Sequence, residues 1–356
     1  MLIYTMQVCN YTKNDMKRKR IQGKKMEASP VENTAAERRK KKLTHYRKEA
    51  SPLQRKKGFG AYMRANGALY AMAIPGVLCV LLFSYVPMYG VLIAFQKYSP
   101  AKGVFGSPWV GFEQFIKFFE SPYCERLFTN TFLLGLLTIL FSFPAPIILA
   151  LLLNEMRSVR LKRVTQTISY MPYFISTVVV IGLLKQLLTT NGGIVNSIRE
   201  MMGFLPKDFF ADPQWFRPLY ILSGIWSSIG YGSILYLAAI SGINPELYES
   251  AVLDGASRWQ QIRHITLPCI MSTVVIQLIF AVGGIVGNDY QKILLMQSPL
   301  NYSTSDVFST FVYREGILGG SYSYSTAVNL LTSVISVVFL LLANWFAKRA
   351  GEEALF

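Results

Sequence analysis

Residues 244–268 read N-P-E-L-Y-E-S-A-V-L-D-G-A-S-R-W-Q-Q-I-R-H-I-T-L-P, a long polar run set between two strongly apolar segments. Its grammar is that of two short helices joined by a sharp turn. Asn244 caps a first helix whose opening turn holds Pro245 and Glu246, where a missing N–H is tolerated and a negative charge is favoured. Gly255 is the residue most easily placed at positive φ, so this helix is expected to stop at Asp254. Ser257-Arg258-Trp259-Gln260 has the S-x-x-Q form of a capping box and restarts a helix that runs through Ile262 and Ile265 to Pro268. Exposed between two apolar segments, such a helix-turn-helix reads as a docking device.

The composition places those apolar segments in a bilayer. Of 356 residues, 52% are apolar, 13% aromatic and only 16% charged, and the mean hydropathy is +0.32; an ordinary soluble domain carries about 25% charged residues. Runs long enough to cross roughly 30 Å of hydrocarbon fall at 68–95, 130–153, 164–187, 219–243, 267–287 and 324–347. The expected fold is therefore an all-α membrane protein of six transmembrane helices with both termini on one side. Arg157, Arg160, Lys162 and Arg163 follow the second run, Arg258 and Arg263 the fourth, and Lys348 and Arg349 the sixth. That excess predicts that the 244–268 stretch and both termini face the cytoplasm. The opposite loops balance their charges, as in Lys117 with Glu120 and Lys207 with Asp208.

The formal charge of +16 is concentrated in residues 1–67, in runs such as Lys17-Arg18-Lys19-Arg20 and Arg38 to Lys42. Ahead of a membrane domain this is the composition of a disordered cytoplasmic tail attracted to anionic lipid rather than to nucleic acid. Its basic clusters are not followed by a short apolar core and a small-residue cleavage site, so it does not read as a signal peptide. The four cysteines form no C-x-x-C pair and the only histidines are His45 and His264; neither a metal site nor a disulfide framework is implied.

Between the first two runs, Phe112, Phe115, Ile116 and Phe119 recur at helical spacing with Glu113 and Lys117 opposite, which predicts an interfacial helix on the outer surface. Pro144, Pro146 and Pro172 are expected to disturb their helices, and Gly283-x-x-x-Gly287 has the spacing of a close helix contact. No run carries an acid in its core; the nearest charges, Glu155, Lys185 and Asp289, stand at the ends. Ion-coupled carriers need ionisable groups inside the bundle. There is no G-x-x-x-x-G-K-[ST] loop, G-x-S-x-G elbow or H-E-x-x-H motif. The chain is thus expected not to be an enzyme, and its energy must come from a partner.

Glu249-Ser250-Ala251, then Asp254-Gly255-Ala256, Trp259 and the closing Ile265-Thr266-Leu267-Pro268 resemble the EAA loop of bacterial ABC importer permeases, the membrane components of binding-protein-dependent transport systems. The resemblance extends from about residue 68 to the end. Asn130-Thr131 and Met171-Pro172-Tyr173 resemble features of the sugar-uptake branch. The segments 287–291, 305–307 and 322–327 resemble the LplB-type polysaccharide permeases more closely still. Ser250 departs from the usual alanine, and Asp289-Tyr290 stands where those permeases show an aromatic residue followed by an acid.

The resemblance implies a type I importer permease domain over residues 68–356, with a cytoplasmic coupling loop at 244–268. It implies a bacterial plasma membrane location and translocation of a sugar or oligosaccharide. The implied partners are a second, related permease, an ABC ATPase dimer and an extracellular solute-binding lipoprotein. No cofactor is held by the chain, since ATP and Mg would be bound by the ATPase. Leu247, Tyr248, Ala251 and Val252 would form an apolar plug for the ATPase cleft; Glu249 and Asp254 would offer acceptors at its rim, and Gly255 and Ala256 would form the turn. Along a sugar path, aromatic faces suit C–H surfaces and amides suit hydroxyls; the candidates are Tyr170, Tyr173, Trp226, Tyr231, Asn288 and Gln291. An interfacial belt is the other reading of the aromatics. Two alternatives stand beside this function: a permease for an amino acid, polyamine or phosphonate, and a membrane scaffold that has lost transport.

Overall fold

The computed structural model describes residues 66–351, 354 and 355, so the expected basic tail lies outside the described residues except for its last two positions. The chain divides into two units, Met1–Tyr89 and Gly90–Phe356. The described part of the first unit is helical from Gly67, and its apolar side chains, Leu69, Met72 and Phe83 among them, are exposed in the manner of a lipid-facing helix.

Among the described residues, five helices are long and apolar enough to cross a membrane: Gly67–Phe95, Cys124–Glu155, Pro213–Ser241, Arg258–Gly283 and Tyr322–Arg349. The remaining span is broken. Val159–Phe174 and Thr177–Leu188 meet at 100°, where one uninterrupted run over 164–187 was expected. The last turn of the first piece, Met171–Phe174, tightens to a 3-10 helix around Pro172. Ile175 and Ser176 are then extended, and the Ser176 hydroxyl accepts the Val179 N–H to start the second piece. Hydrocarbon cannot solvate the backbone groups that such a break releases, so it has to be covered by neighbouring spans.

The other prolines act more gently. The second span passes through Phe143 in helical geometry, with Pro144 at the first position of its second piece, and continues as one helix over Cys124–Glu155. The fifth span begins nine residues before the expected 267, at Arg258, and ends at Gly283 rather than 287. Its second turn, Ile262–Thr266, is a π-turn that closes through Leu267 N–H to Ile262 C=O. The widened turn relieves the clash between the ring of Pro268 and the carbonyl four residues before it, so the helix runs on where a stop was expected.

Lipid tails are as apolar as leucine, so helices here associate through close packing and polar contacts rather than by exclusion of water. The fifth and sixth spans pack together, and a Cβ on Gly283 would stand 2.6 Å from Leu340 Cδ1. Gly287 does not share that face; it lies in the turn after the helix, its N–H on the Gly284 carbonyl. The outer helix is Glu113–Phe119. Phe112, Ile116 and Phe119 are exposed as the stripe predicts, but the anchor is Phe118, buried among Phe308, Phe311 and Tyr324.

The end of the bundle remote from residues 244–268 is pinned by one carboxylate. Asp306 is fully buried and pairs with Arg126 at 2.7 Å and with Arg314 through both oxygens at 3.1 Å. Asn130 donates to the carbonyls of Ser303 and Asp306 and accepts from Arg217 at 2.9 Å, while Thr131 accepts the Phe308 N–H. The second and fourth spans are thereby tied to the segment 303–314. Asp306→Ala strands two guanidiniums beside a buried void, and a loss of about 3–5 kcal/mol is expected. A thermal melt of the purified protein in detergent checks this: the midpoint should fall sharply, with Asp306→Asn intermediate.

Candidate functional site

Residues 244–268 fold as their chemistry dictates. The Asn244 side chain accepts the Glu246 N–H, and Pro245–Leu253 is helical. Asp254 closes that helix, Gly255 sits at φ +77°, and two bonds seal the turn, Gly255 N–H to Val252 C=O and Ala256 N–H to Ala251 C=O. This is a Schellman ending, which needs a left-handed residue at that position. Ser257 and Gln260 then form both halves of the capping box. Nothing lies within 4 Å of a Cβ built on Gly255, so backbone conformation rather than space selects glycine.

The two faces of the first helix differ. Leu247, Tyr248 and Ala251 are half-buried against the protein itself, and the Tyr248 hydroxyl meets Thr266 Oγ1 at 2.9 Å. Burial pushes the Tyr248 phenol up from its ordinary value. The opposite face presents Glu249, Asp254, Val252 and Leu253, and across the turn Trp259 is also exposed; Ala256 is half-buried in the turn. Thus Val252 is the one member of the expected plug that is exposed, and Leu253 and Trp259 extend it. The exposure of Val252 and Leu253 follows from helix phase, since 249, 252 and 253 lie on one side. Arg258 joins the loop to the end of the second span by an ion pair with Glu155 at 2.8 Å.

The fourth span, Pro213–Ser241, is packed at both ends and open between. Near its start Phe216, Leu219, Tyr220 and Ile221 join a core with Ile181 and Ile293; near its end Tyr236 and Ile240 pack on Ala150 and Ile270. Between them is a cleft of about 290 Å³. The second span contributes Thr138 and Ser142, the broken span Tyr173 and Thr177, and the fourth span Ser223, Ser227 and Ser228, with Asp289 and Lys292 on the remaining wall. Thr138, Ser227 and Ser228 donate to carbonyls of their own helices, which satisfies their protons in a dry setting and leaves lone pairs for an incoming donor.

Below the cleft, toward the 244–268 loop, Tyr173 and Tyr231 stack with centroids 3.9 Å apart and planes 4° from parallel. The break in the third span meets the fourth span here: a Cβ on Gly230 would overlap the Ser169 carbonyl and stand 2.9 Å from the Tyr170 nitrogen. Of the expected path residues, Tyr173 lines the cleft and Tyr231 reaches it through this stack. Tyr170 is half-buried at the break, and Trp226 is half-exposed without lining the cleft. Asn288 donates to the Thr131 carbonyl at 3.3 Å, and Gln291 is exposed outside the cleft. The short helix Tyr290–Met296 is capped by Asp289 and turns Asp289 and Lys292, not 288 and 291, to the cavity. The three-residue spacing of an acid and a lysine on one helical face was the signal in the sequence.

Gly230→Ala is expected to force the third and fourth spans apart at a cost of about 1–3 kcal/mol. Gly182, helical with open space around it, is the control, since Gly182→Ala should gain about 0.5–1 kcal/mol. Melting temperatures of the two variants should move in opposite directions.

Residues 126–352 match the family profile described as binding-protein-dependent transport system inner membrane component. Protein LplB of Bacillus subtilis (strain 168) is 43% identical over 296 residues, covering 83% of this chain and 93% of that protein. The polygalacturonan/rhamnogalacturonan transport system permease protein YteP of the same organism is 43% identical over 288 residues, covering 81% and 90%. Among solved structures, a chain of a bacterial ABC transporter involved in the import of the acidic polysaccharide alginate superposes with a TM-score of 0.75 at 42% identity, over 81% of this chain and 97% of that one. A bacterial alginate ABC transporter in complex with an alginate pentasaccharide-bound periplasmic protein gives 0.77 at 40% identity, over 84% and 100%.

Proposed function

The chain belongs to the binding-protein-dependent transport system inner membrane components, and on that premise we propose that it is the permease subunit through which an ATP-driven importer passes a sugar or oligosaccharide. The protein is a multi-pass component of the plasma membrane with the fold of a type I ABC importer permease. The observation that carries the mechanism is the doubly capped loop that links the fourth span to the fifth and turns an apolar, acid-rimmed face outward. Val252, Leu253 and Trp259 offer the surface that enters a cleft of the ATPase dimer, with Glu249 and Asp254 as acceptors at its rim. ATP and Mg stay on that partner. Leu247, Tyr248 and Ala251 then carry movement of the loop into the permease, because they are the side that grips it.

The cleft supports the solute assignment. Its hydroxyls, the Tyr173 ring and the charged pair Asp289 and Lys292 suit a polyhydroxylated solute that presents both C–H faces and hydrogen-bonding edges. YteP is named for polygalacturonan/rhamnogalacturonan transport and one matched structure belongs to an importer of alginate; a matched alginate transporter was solved in complex with a pentasaccharide-bound periplasmic protein. In this reading a binding protein delivers the oligosaccharide at the Asp306 end, a second permease completes the path, and the coupling loop faces the cytoplasm. Alternating access moves the cleft from one side to the other.

Reconstitution into vesicles with the ATPase, the partner permease and the binding protein tests the reading. Oligosaccharide should stimulate ATP hydrolysis and accumulate inside. Gly255→Val, which cannot keep φ at +77° without strain, should still insert and should lose uptake by tenfold or more, on the order of the tenfold per 1.4 kcal/mol that a strained left-handed residue implies. Unaltered uptake in that variant would remove the coupling role. A wild-type complex that hydrolyses ATP without responding to any oligosaccharide would favour a different solute or a scaffold.

A further inference from the structure

Lys292 is set into the cleft in a way that a structural tether alone does not require. The residue is 8% exposed. Its ammonium donates to the Tyr220 carbonyl at 2.7 Å and lies 4.4 Å from the centre of the Tyr220 ring. An ammonium has three donors, and this is the one hydrogen bond that Nζ makes among the described residues; no ion pair among them includes it. The space it occupies is left by Gly224, on which a Cβ would come within 3.0 Å of Nζ. Asp289 faces the same cavity but is committed elsewhere: its Oδ1 caps the short helix by accepting the Lys292 N–H. There the first-turn amides compensate its charge. The ammonium therefore has a carboxylate in the same cavity, but no ion pair within 4.0 Å joins it to an acid among the described residues.

A neutral amide or hydroxyl at position 292 would tie the short helix to the fourth span without burying a cation, which is costly in a dry interior unless an anion joins it. We propose that Lys292 reads the charge of the solute, binding the carboxylate of an acidic sugar unit within the cleft, with Asp289 accepting hydroxyls of the same unit. This rests on the importer reading given above and narrows its substrate to uronate-type oligosaccharides. Gly224 is the positioning residue, since it seats the ammonium without touching the solute.

The test uses the assembled transporter in vesicles with its binding protein, and two probes: an oligouronate, and the same oligosaccharide with its carboxyls methyl-esterified. Substrate-stimulated ATP hydrolysis is recorded against concentration for each. The wild type should half-saturate at lower concentrations of the acid. Lys292→Gln should raise that concentration for the acid by roughly ten- to a hundredfold, as loss of a hydrogen bond to a charged group implies, and leave the ester unmoved. Lys292→Arg should keep the preference for acid, and Gly224→Ala should weaken it. The binding protein is common to all variants, so any change in the acid-to-ester ratio belongs to the permease. Equal weakening of both probes by Lys292→Gln makes the lysine a structural tie and overturns the proposal, as does a wild type with no preference. Should Lys292→Gln fail to assemble, an unchanged ratio in Gly224→Ala has the same force. A wild type that answers neither probe overturns the sugar-importer reading itself, a distinct result.

Discussion

The end of the bundle remote from residues 244–268 is fixed by one buried carboxylate. The segment 288–318 contains only short helices and turns, and it has to sit beside spans that offer it little hydrophobic drive. Asp306 supplies the fixed point, gripped by Arg126 of the second span and by both arms of Arg314. Such a triad contributes little net energy over an apolar substitute, but it cannot lose one member without stranding the others. Specific geometry is what it gives: with Asn130 and Thr131 it sets where the segment meets the second span, and so where the helix 290–296 carries Lys292 against Tyr220.

The same logic explains why the broken third span is tolerated. Of the residues at the break, Ile175 and Thr177 line the cleft and are half-buried, and Pro172 just before them is buried. Gly230 lets the fourth span approach the Ser169 carbonyl directly, which closes the bundle beneath the cavity at the level of the Tyr173 and Tyr231 stack. Firm packing at both ends of Pro213–Ser241, with an open polar middle, makes that helix the common wall of every feature the mechanism uses.

What was legible in the sequence was what local chemistry decides. The caps at Asn244 and Ser257, the stop at Gly255 and the number of spans all follow from residues within a few positions of one another. What was not legible depended on neighbours in space. Pro172 announced a disturbance, but the 100° bend needed Ser176 to restart the helix, and a Ser-Thr pair inside an apolar run is a quiet signal. Pro268 read as a stop because a π-turn that absorbs a proline leaves no mark in the pattern. Asn288 and Gln291 were one residue out of phase with Asp289 and Lys292, since the cap that fixes the phase of 290–296 is Asp289 itself. The polar pair Asn130-Thr131 and the segment 305–307 were visible as separate resemblances; that they bind each other was not.

The continuity of Arg258–Gly283 has a mechanical consequence. A helix of 26 residues is a rod of roughly 40 Å, and its first turn is already part of the loop. Across Gly255 the chain turns sharply, held by the two hydrogen bonds of the Schellman ending. At Pro268, where a hinge would ordinarily be sought, the π-turn lets the helix run on although the proline donates no hydrogen bond. On the coupling role proposed above, a push on the loop would reach the far end of the rod as tilt, where Gly283 packs closely against Leu340 of the sixth span.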